Sequence, residues 1–271
     1  MTQQVIISIM NLDTITQLLS LNHQFYQTFS RSFSDTRQKL QPGVQRILET
    51  IDPEAYILDL GCGNGKLARE LVHFNRCRMY VGLDFNADLL AEADSSMDQA
   101  ATTPYFFFQA DLAMPGWDNE LVNSLRCTSE VSLQRENFLR SNTLFNIVLA
   151  FSVLHHIPEA KLRYQILKKV HTLLDEGGYF IHSEWQFLNS PRLCGRIQPW
   201  ERIGLTSADV DAGDYLLDWR QGGQGLRYVH HFTPLELASL AQATGFSLSE
   251  SFFSDGQGNK LGLYQVWQRN G

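Results

Sequence analysis

The stretch Asp59-Leu60-Gly61-Cys62-Gly63-Asn64-Gly65 places a carboxylate just ahead of a glycine turn. Glycine permits positive φ and removes side chains, so a ligand can approach the backbone closely. The helix expected from Lys66 presents unpaired N–H groups to the same space. The spacing is G-x-G-x-G, which differs from the G-x-G-x-x-G of dinucleotide binders. A second carboxylate, Asp84, ends the next apolar run, where it can take both hydroxyls of a ribose. A third, Asp111, stands just past another apolar run, at the strand end where an open α/β sheet binds its ligand. The plainer reading of Asp111 is a helix cap.

Other candidates are cationic or titratable. His155 and His156 follow the apolar run Phe145–Phe151, and His230 and His231 follow Arg227-Tyr228-Val229. Each histidine has a packing role as its alternative. Arg37 has a surface ion pair as its alternative, which contributes little. Trp185 either walls a pocket or fills core. Cys62, Cys77, Cys127 and Cys194 are scattered without a C-x-x-C, so neither a disulfide framework nor a metal site is expected.

The elements that must position these groups follow from periodicity. Short apolar runs ending in glycine or acid suit strands buried on both faces. They occur at Ile57–Leu60, Tyr80–Leu83, Tyr105–Phe108, Phe145–Phe151 and Tyr179–Trp185. Helices are expected between them, one from Glu159 to Leu174 and ended by Gly177-Gly178. Phe106-Phe107-Phe108 reads as core strand. Residues 12–33 carry apolar residues at helical spacing, and Pro42 starts a further helix; residues 12–50 are read as a helical cap over the glycine turn. Residues 186–232 read as a long loop, rich in glycine, proline and aromatics, forming a lid. Thr233-Pro234-Leu235-Glu236 opens a helix that ends at Gly245. Two closing strands follow, Phe246–Phe253 and Leu261–Gln268. The alternation predicts an α/β fold, doubly wound, with a seven-stranded mostly parallel sheet and an insertion after strand 5. Residues 1–271 are read as one domain.

The chain has 271 residues, is 44% hydrophobic and carries a net charge of −7. A full core is available. The acidic balance argues against holding nucleic acid by charge alone, and no DNA partner is expected. The first basic residue is Arg31, and no apolar run has the length of a membrane span. No membrane association and a cytoplasmic location are expected.

The acids and glycines around residues 59–84 resemble the first two motifs of the Rossmann-like S-adenosylmethionine (SAM) methyltransferases. A closer resemblance is to the wobble-uridine tRNA methyltransferases. It rests on Phe33-Ser34-Asp35-Thr36-Arg37, the glycine turn, Val153-Leu154-His155-His156-Ile157, and Arg227-Tyr228-Val229-His230-His231-Phe232 followed by Glu236, in that order. Lys39-Leu40-Gln41-Pro42 stands where that family carries Trp-Pro.

The resemblance implies SAM as cofactor. Its site is expected from Asp59, Gly61, Cys62, Gly63, Gly65, Asp84, Phe85, Asp111, Leu112 and Phe151, with Asp111 meeting the adenine amino group. It also implies an anionic acceptor, the carboxylate of 5-carboxymethyluridine in tRNA. That acceptor is expected to be held by Arg37 and Arg227, with His155 or His230 lining the pocket. A small activator subunit is a candidate partner. Methylation of a small metabolite is the alternative, as is a silent SAM-fold subunit, which the intact acids and glycines disfavour. Arg192, Arg196 and Arg202 hint at an RNA acceptor.

Overall fold

The computed structural model describes residues 10–35, 39–98, 100–127 and 145–271, and only the backbone of residues 31–35. The first helix, α1 (Leu12–Asp35), starts where Asn11 Oδ1 accepts from the Asp13 amide at 2.9 Å. A short α2 (Pro42–Leu48) begins on its proline, as expected. The doubly wound part then follows as β1 (Tyr56–Leu60), α3 (Lys66–His73), β2 (Met79–Asp84), α4 (Ala87–Ser95), β3 (Tyr105–Gln109), α5 (Trp117–Arg126), β4 (Phe145–Phe151), α6 (Ala160–Leu173) and β5 (Leu174–Trp185).

A short α7 (Pro191–Cys194) leads to β6 (Ile197–Gln198), β7 (Asp214–Trp219) and β8 (Gly225–His230). The chain closes with α8 (Pro234–Thr244), β9 (Phe246–Ser254) and β10 (Gly262–Arg269).

The main sheet has seven strands in the order β3-β2-β1-β4-β5-β10-β9. β1 pairs in parallel with β2 and β4, and only the β10 pairings are antiparallel. The order therefore reverses between β1 and β4, which puts the ligand crevice beyond their carboxyl ends. Successive residues of β1 serve opposite layers. Leu58 and Leu60 pack with Trp117, Ile166, Leu167 and Leu237 on one face. Ile57 packs with Ile47, Leu67 and Leu71 on the other. Burying such a side chain fully stabilises the fold by about 1.5–3 kcal/mol.

Three expectations change. The Phe106–Phe108 run forms β3, but β3 is a sheet edge and its side chains are only half-buried. Gly177-Gly178 does not end α6. β5 starts at Leu174, and the pairing with β4 jumps from Leu174 to Tyr179, so both glycines lie in a bulge. Residues 186–232 are not a loop. They hold an antiparallel sheet in the order β6-β7-β8, and the Gly222-Gly223 stretch, at φ of 71° and 144°, turns β7 into β8. The physical reason is that β8 buries both faces, Tyr228 against Leu18 of α1 and Val229 against Phe187 and Leu217. Among the described residues no helix is long and apolar enough to cross a membrane.

Candidate active site

The floor of the crevice is a local construction. The amides of Gly61 and Cys62 both donate to the Leu83 carbonyl, at 2.7 and 2.9 Å, which folds the end of β1 onto the end of β2. The Gly63 amide then donates to Asp84 Oδ2 at 2.9 Å. Gly63 has φ of +55°, and a Cβ added there meets nothing within 4 Å, so its missing side chain leaves open crevice. Gly65 has a different job. Its Cβ would stand 2.7 Å from Ala93 Cβ, so this glycine brings α3 close to α4 and does not line the crevice.

Asp84 Oδ1 accepts from the Asn86 amide at 2.9 Å, and Asn86 caps α4 through the amides of Asp88 and Leu89. Burial raises the Asp84 pKa, while backbone hydrogen bonds from Asn86, Gly63 and Phe85 pull it down; the net direction is up. Each carboxylate oxygen retains acceptor capacity for a ligand hydroxyl.

The crevice encloses about 250 Å³. Gly61, Cys62, Gly63 and Asp84 line its floor, and Phe85, Asp111, Leu112 and Phe151 line its walls. Asp59 does not line it. It lies beneath the floor at 3% exposure, where the Tyr80 hydroxyl donates to Oδ2 at 2.5 Å. Burial pushes its pKa to about 7, the Tyr80 bond opposes this, and the Asp84 charge adds to it. Asp111 both caps and faces the crevice. Oδ1 accepts from the Ala113 amide at 2.9 Å, and Oδ2 lies 3.2 Å from His23 Nε2. Burial pushes its pKa up, but the His23 and Ala113 hydrogen bonds outweigh that and lower it.

The rim is assembled from distant segments. A single 3-10 turn, Leu154–His156, follows β4 and turns His156 toward the crevice. Its Nε2 lies 2.6 Å from the Tyr26 hydroxyl, and its Nδ1 faces the Tyr228 carbonyl at 3.4 Å. A proton on Nδ1 suits that carbonyl and leaves Nε2 as the acceptor for Tyr26, an assignment of the tautomer from the two contacts. Asn22 fixes the turn from α1. Its Nδ2 donates to the carbonyls of His156 and Tyr228 at 3.0 and 3.2 Å, and Oδ1 accepts the Tyr228 amide at 2.8 Å.

Of the residues expected around the acceptor, the described ones, His155, Arg227 and His230, do not line this crevice. His155 has its ring centre 4.3 Å from that of His156 but is only 2% exposed, with Nδ1 3.0 Å from Glu184 Oε2. Burial pushes the Glu184 pKa well up, and Glu184 Oε1 is shared with the buried His182. His230 lies between two carboxylates, 2.6 Å from Asp214 and 2.8 Å from Glu236. Burial opposes its charge, but these hydrogen bonds win and raise its pKa. The two carboxylates make His230 a buried strut between β8, β7 and α8, beside Arg163. Arg227 is 6% exposed, with its guanidinium 4.6 Å from the Trp185 ring centre, 5.3 Å from Phe25 and 5.5 Å from Trp219. It packs behind the crevice wall rather than in the crevice. Arg37 lies outside the described residues.

Three crevice residues were not legible as site residues, Asn22, His23 and Tyr26, whereas His156 stood among the candidates. With Leu19, the first three sit at i, i+3, i+4 and i+7 on α1. Polar residues at core-facing helical spacing were the available signal.

A crystal structure of a SAM-dependent methyltransferase from Methanosarcina mazei superimposes with a TM-score of 0.59. It covers 86% of this chain and 99% of that one, at 19% sequence identity. This likeness defines the fold as that of the SAM-dependent methyltransferases. The family follows from the sequence itself. The profile described as "Methyltransferase domain" matches residues 32–251, and the chain belongs to that family. It is thus a methyltransferase with SAM as its methyl donor, and the open glycine turn beside Asp84 fits that cofactor.

A provisionally named methyltransferase of Encephalitozoon cuniculi is 25% identical over 228 residues, 83% of this chain and 87% of its own length. The tRNA (carboxymethyluridine(34)-5-O)-methyltransferase of Schizosaccharomyces pombe is 23% identical over 168 residues. That match covers 60% of this chain and 56% of the relative.

Proposed function

We propose that this chain is an O-methyltransferase whose acceptor oxygen is seated against Tyr26 and His156. The observation that carries this is the 2.6 Å contact between the Tyr26 hydroxyl and His156 Nε2 inside the crevice. Asp84 takes the ribose hydroxyls of SAM, the glycine turn accommodates its amino-acid end, and Phe85, Asp111 and Leu112 receive the adenine. When bound, SAM supplies a methyl group on a sulfonium, ready for in-line displacement. The protein's task is then to hold the acceptor oxygen at near-attack distance. Phe151 and Ile157 exclude water from that position, α1 and the small sheet cap it, and the Tyr26 hydroxyl turns its proton onto the acceptor.

A carboxylate acceptor, such as 5-carboxymethyluridine of tRNA, is the first form to test. The name of the S. pombe relative supports it, as does the order in this sequence of the motifs that resemble the wobble-uridine enzymes. A carboxylate is already ionised at neutral pH, so Tyr26 needs only to orient it. A small hydroxyl-bearing metabolite is the second reading. It is favoured by His156 Nε2 standing beside the Tyr26 hydroxyl, where it can act as a base, and by Lys66 being, among the described residues, the one lysine or arginine lining the crevice.

The test is uptake of labelled methyl from SAM by bulk tRNA beside a metabolite extract, with wild type and Tyr26→Phe. Label in tRNA that alkali releases as methanol supports the carboxylate. Label in a small ether, formed at a rate that falls as a histidine protonates, supports the second reading. Transfer to nitrogen or carbon alone would overturn both.

A further inference from the structure

His23 projects from α1 into the crevice one turn before Tyr26. Its ring lies nearly parallel to Phe85, with centroids 4.6 Å apart and planes 21° apart. Its Nε2 reaches Asp111 Oδ2 at 3.2 Å. Phe85 directly follows Asp84, and Leu89, Ala110 and Leu112 complete the slot. The slot is therefore a flat apolar cleft with a carboxylate at one edge, adjoining the carboxylate that suits a ribose. Its chemistry selects a planar nitrogen heterocycle that stacks on Phe85 and donates an N–H to Asp111. The imidazole of His23 meets both conditions.

We infer that His23 is the chain's own stand-in for the adenine of SAM. It fills the slot when the donor is absent and swings out when the donor enters, so it sets the affinity for donor and product. This rests on the reading that the adenine lies on Phe85.

The backbone around His23 is held, so the exchange is a side-chain rotation rather than a movement of α1. Asn22 is bonded to the carbonyls of His156 and Tyr228. Asn86 Nδ2 donates to the Tyr26 carbonyl at 3.2 Å, and Gln17 Nε2 donates to the Ile203 carbonyl at 2.6 Å. The His23 side chain itself is 34% exposed, which leaves a path to solvent.

Competition lowers apparent affinity by the fraction of molecules whose slot is open. A stack and one hydrogen bond correspond to about a fivefold gain on their removal. Titration calorimetry with S-adenosylhomocysteine should show His23→Ala binding about fivefold tighter than wild type. S-ribosylhomocysteine, which lacks the adenine, should bind both alike. His23→Phe, which keeps the ring and loses the Asp111 bond, should fall between. In the wild type, the His23 ring-proton NMR signals, shifted by Phe85, should move toward free values on adding S-adenosylhomocysteine.

Equal or weaker binding by His23→Ala overturns the inference, weaker binding making His23 a wall of the adenine site. An Asp84→Ala control separates this from the underlying reading. If that variant binds S-adenosylhomocysteine like wild type, the cofactor does not lie in this crevice at all.

Discussion

The floor and the rim of the crevice are built in opposite ways. The floor comes from one strand, its turn and the end of the neighbouring strand, tied by backbone bonds to the Leu83 carbonyl and to Asp84. The rim joins α1, the turn after β4 and β8 through side chains whose partners are 72 to 206 residues away. The floor can keep its shape with little help from the rest of the chain. The rim exists only when the small sheet and α1 have docked. A cofactor site and an acceptor site on one fold can thus have separate stabilities, consistent with acceptors varying while the donor stays.

If floor and rim are separately held, removing the support behind the rim should leave the floor able to bind. Arg163 is 1% exposed, donates to the Ile157 carbonyl at 3.0 Å and faces Asp211 and Glu236, each at 3.9 Å. Arg163→Met takes the guanidinium from Asp211 and the donor from the Ile157 carbonyl, while the 36% exposed Glu236 keeps His230, so urea unfolding should show a loss of about 1.5–3 kcal/mol. The folded fraction should still bind SAM by calorimetry. A loss below about 1 kcal/mol, within the range of an exposed pair, would show that the network does not hold the rim.

Beneath the floor, Asp59 supplies a pH test. Its pKa rises from 3.8 to about 7 on folding. The folded chain therefore favours the neutral acid. The stability this confers is fully present below the unfolded value and is lost as pH rises through about 7. The loss is roughly 4 kcal/mol on conversion of the shift. Asp59→Asn should abolish that slope and be the more stable protein above neutrality. Parallel unfolding midpoints for the two proteins across this range would contradict the assignment.

Asp84→Ala attacks the floor itself. It removes the partner of the Gly63 and Asn86 amides, and SAM should bind more weakly by about 1–3 kcal/mol. Unchanged calorimetric affinity would place the ribose elsewhere.

The smallest effect belongs to the rim. Tyr26→Phe removes one hydroxyl and no packing, so kcat/KM should fall about tenfold, with SAM affinity unchanged. If SAM affinity falls in step with turnover, floor and rim are one unit and the comparison fails.

The fold and the floor of the crevice were legible before any tertiary contact was known. The period of its apolar runs, the glycines and the acids at strand ends are local signals, because a turn's conformation depends on the few residues within it. Asp84 was legible for a related reason: in a doubly wound sheet the next strand lies beside the first and ends at the same edge. Asp59 shows where that reading stops. Its place in the motif was plain, but only the packing of Tyr80 decided that its carboxylate faces inward. The rim was decided by tertiary structure alone. His155 and His156 are adjacent and identical in type, and the docking of one 3-10 turn on α1 sent the second to the crevice and the first to Glu184. Arg227 and His230 lie in β8, where period-2 alternation sets two faces but not what covers each. Trp185 and Trp219 cover the first, Asp214 and Glu236 the second. Side-chain direction depends on partners far away in the chain, and those partners are known only once the chain has folded.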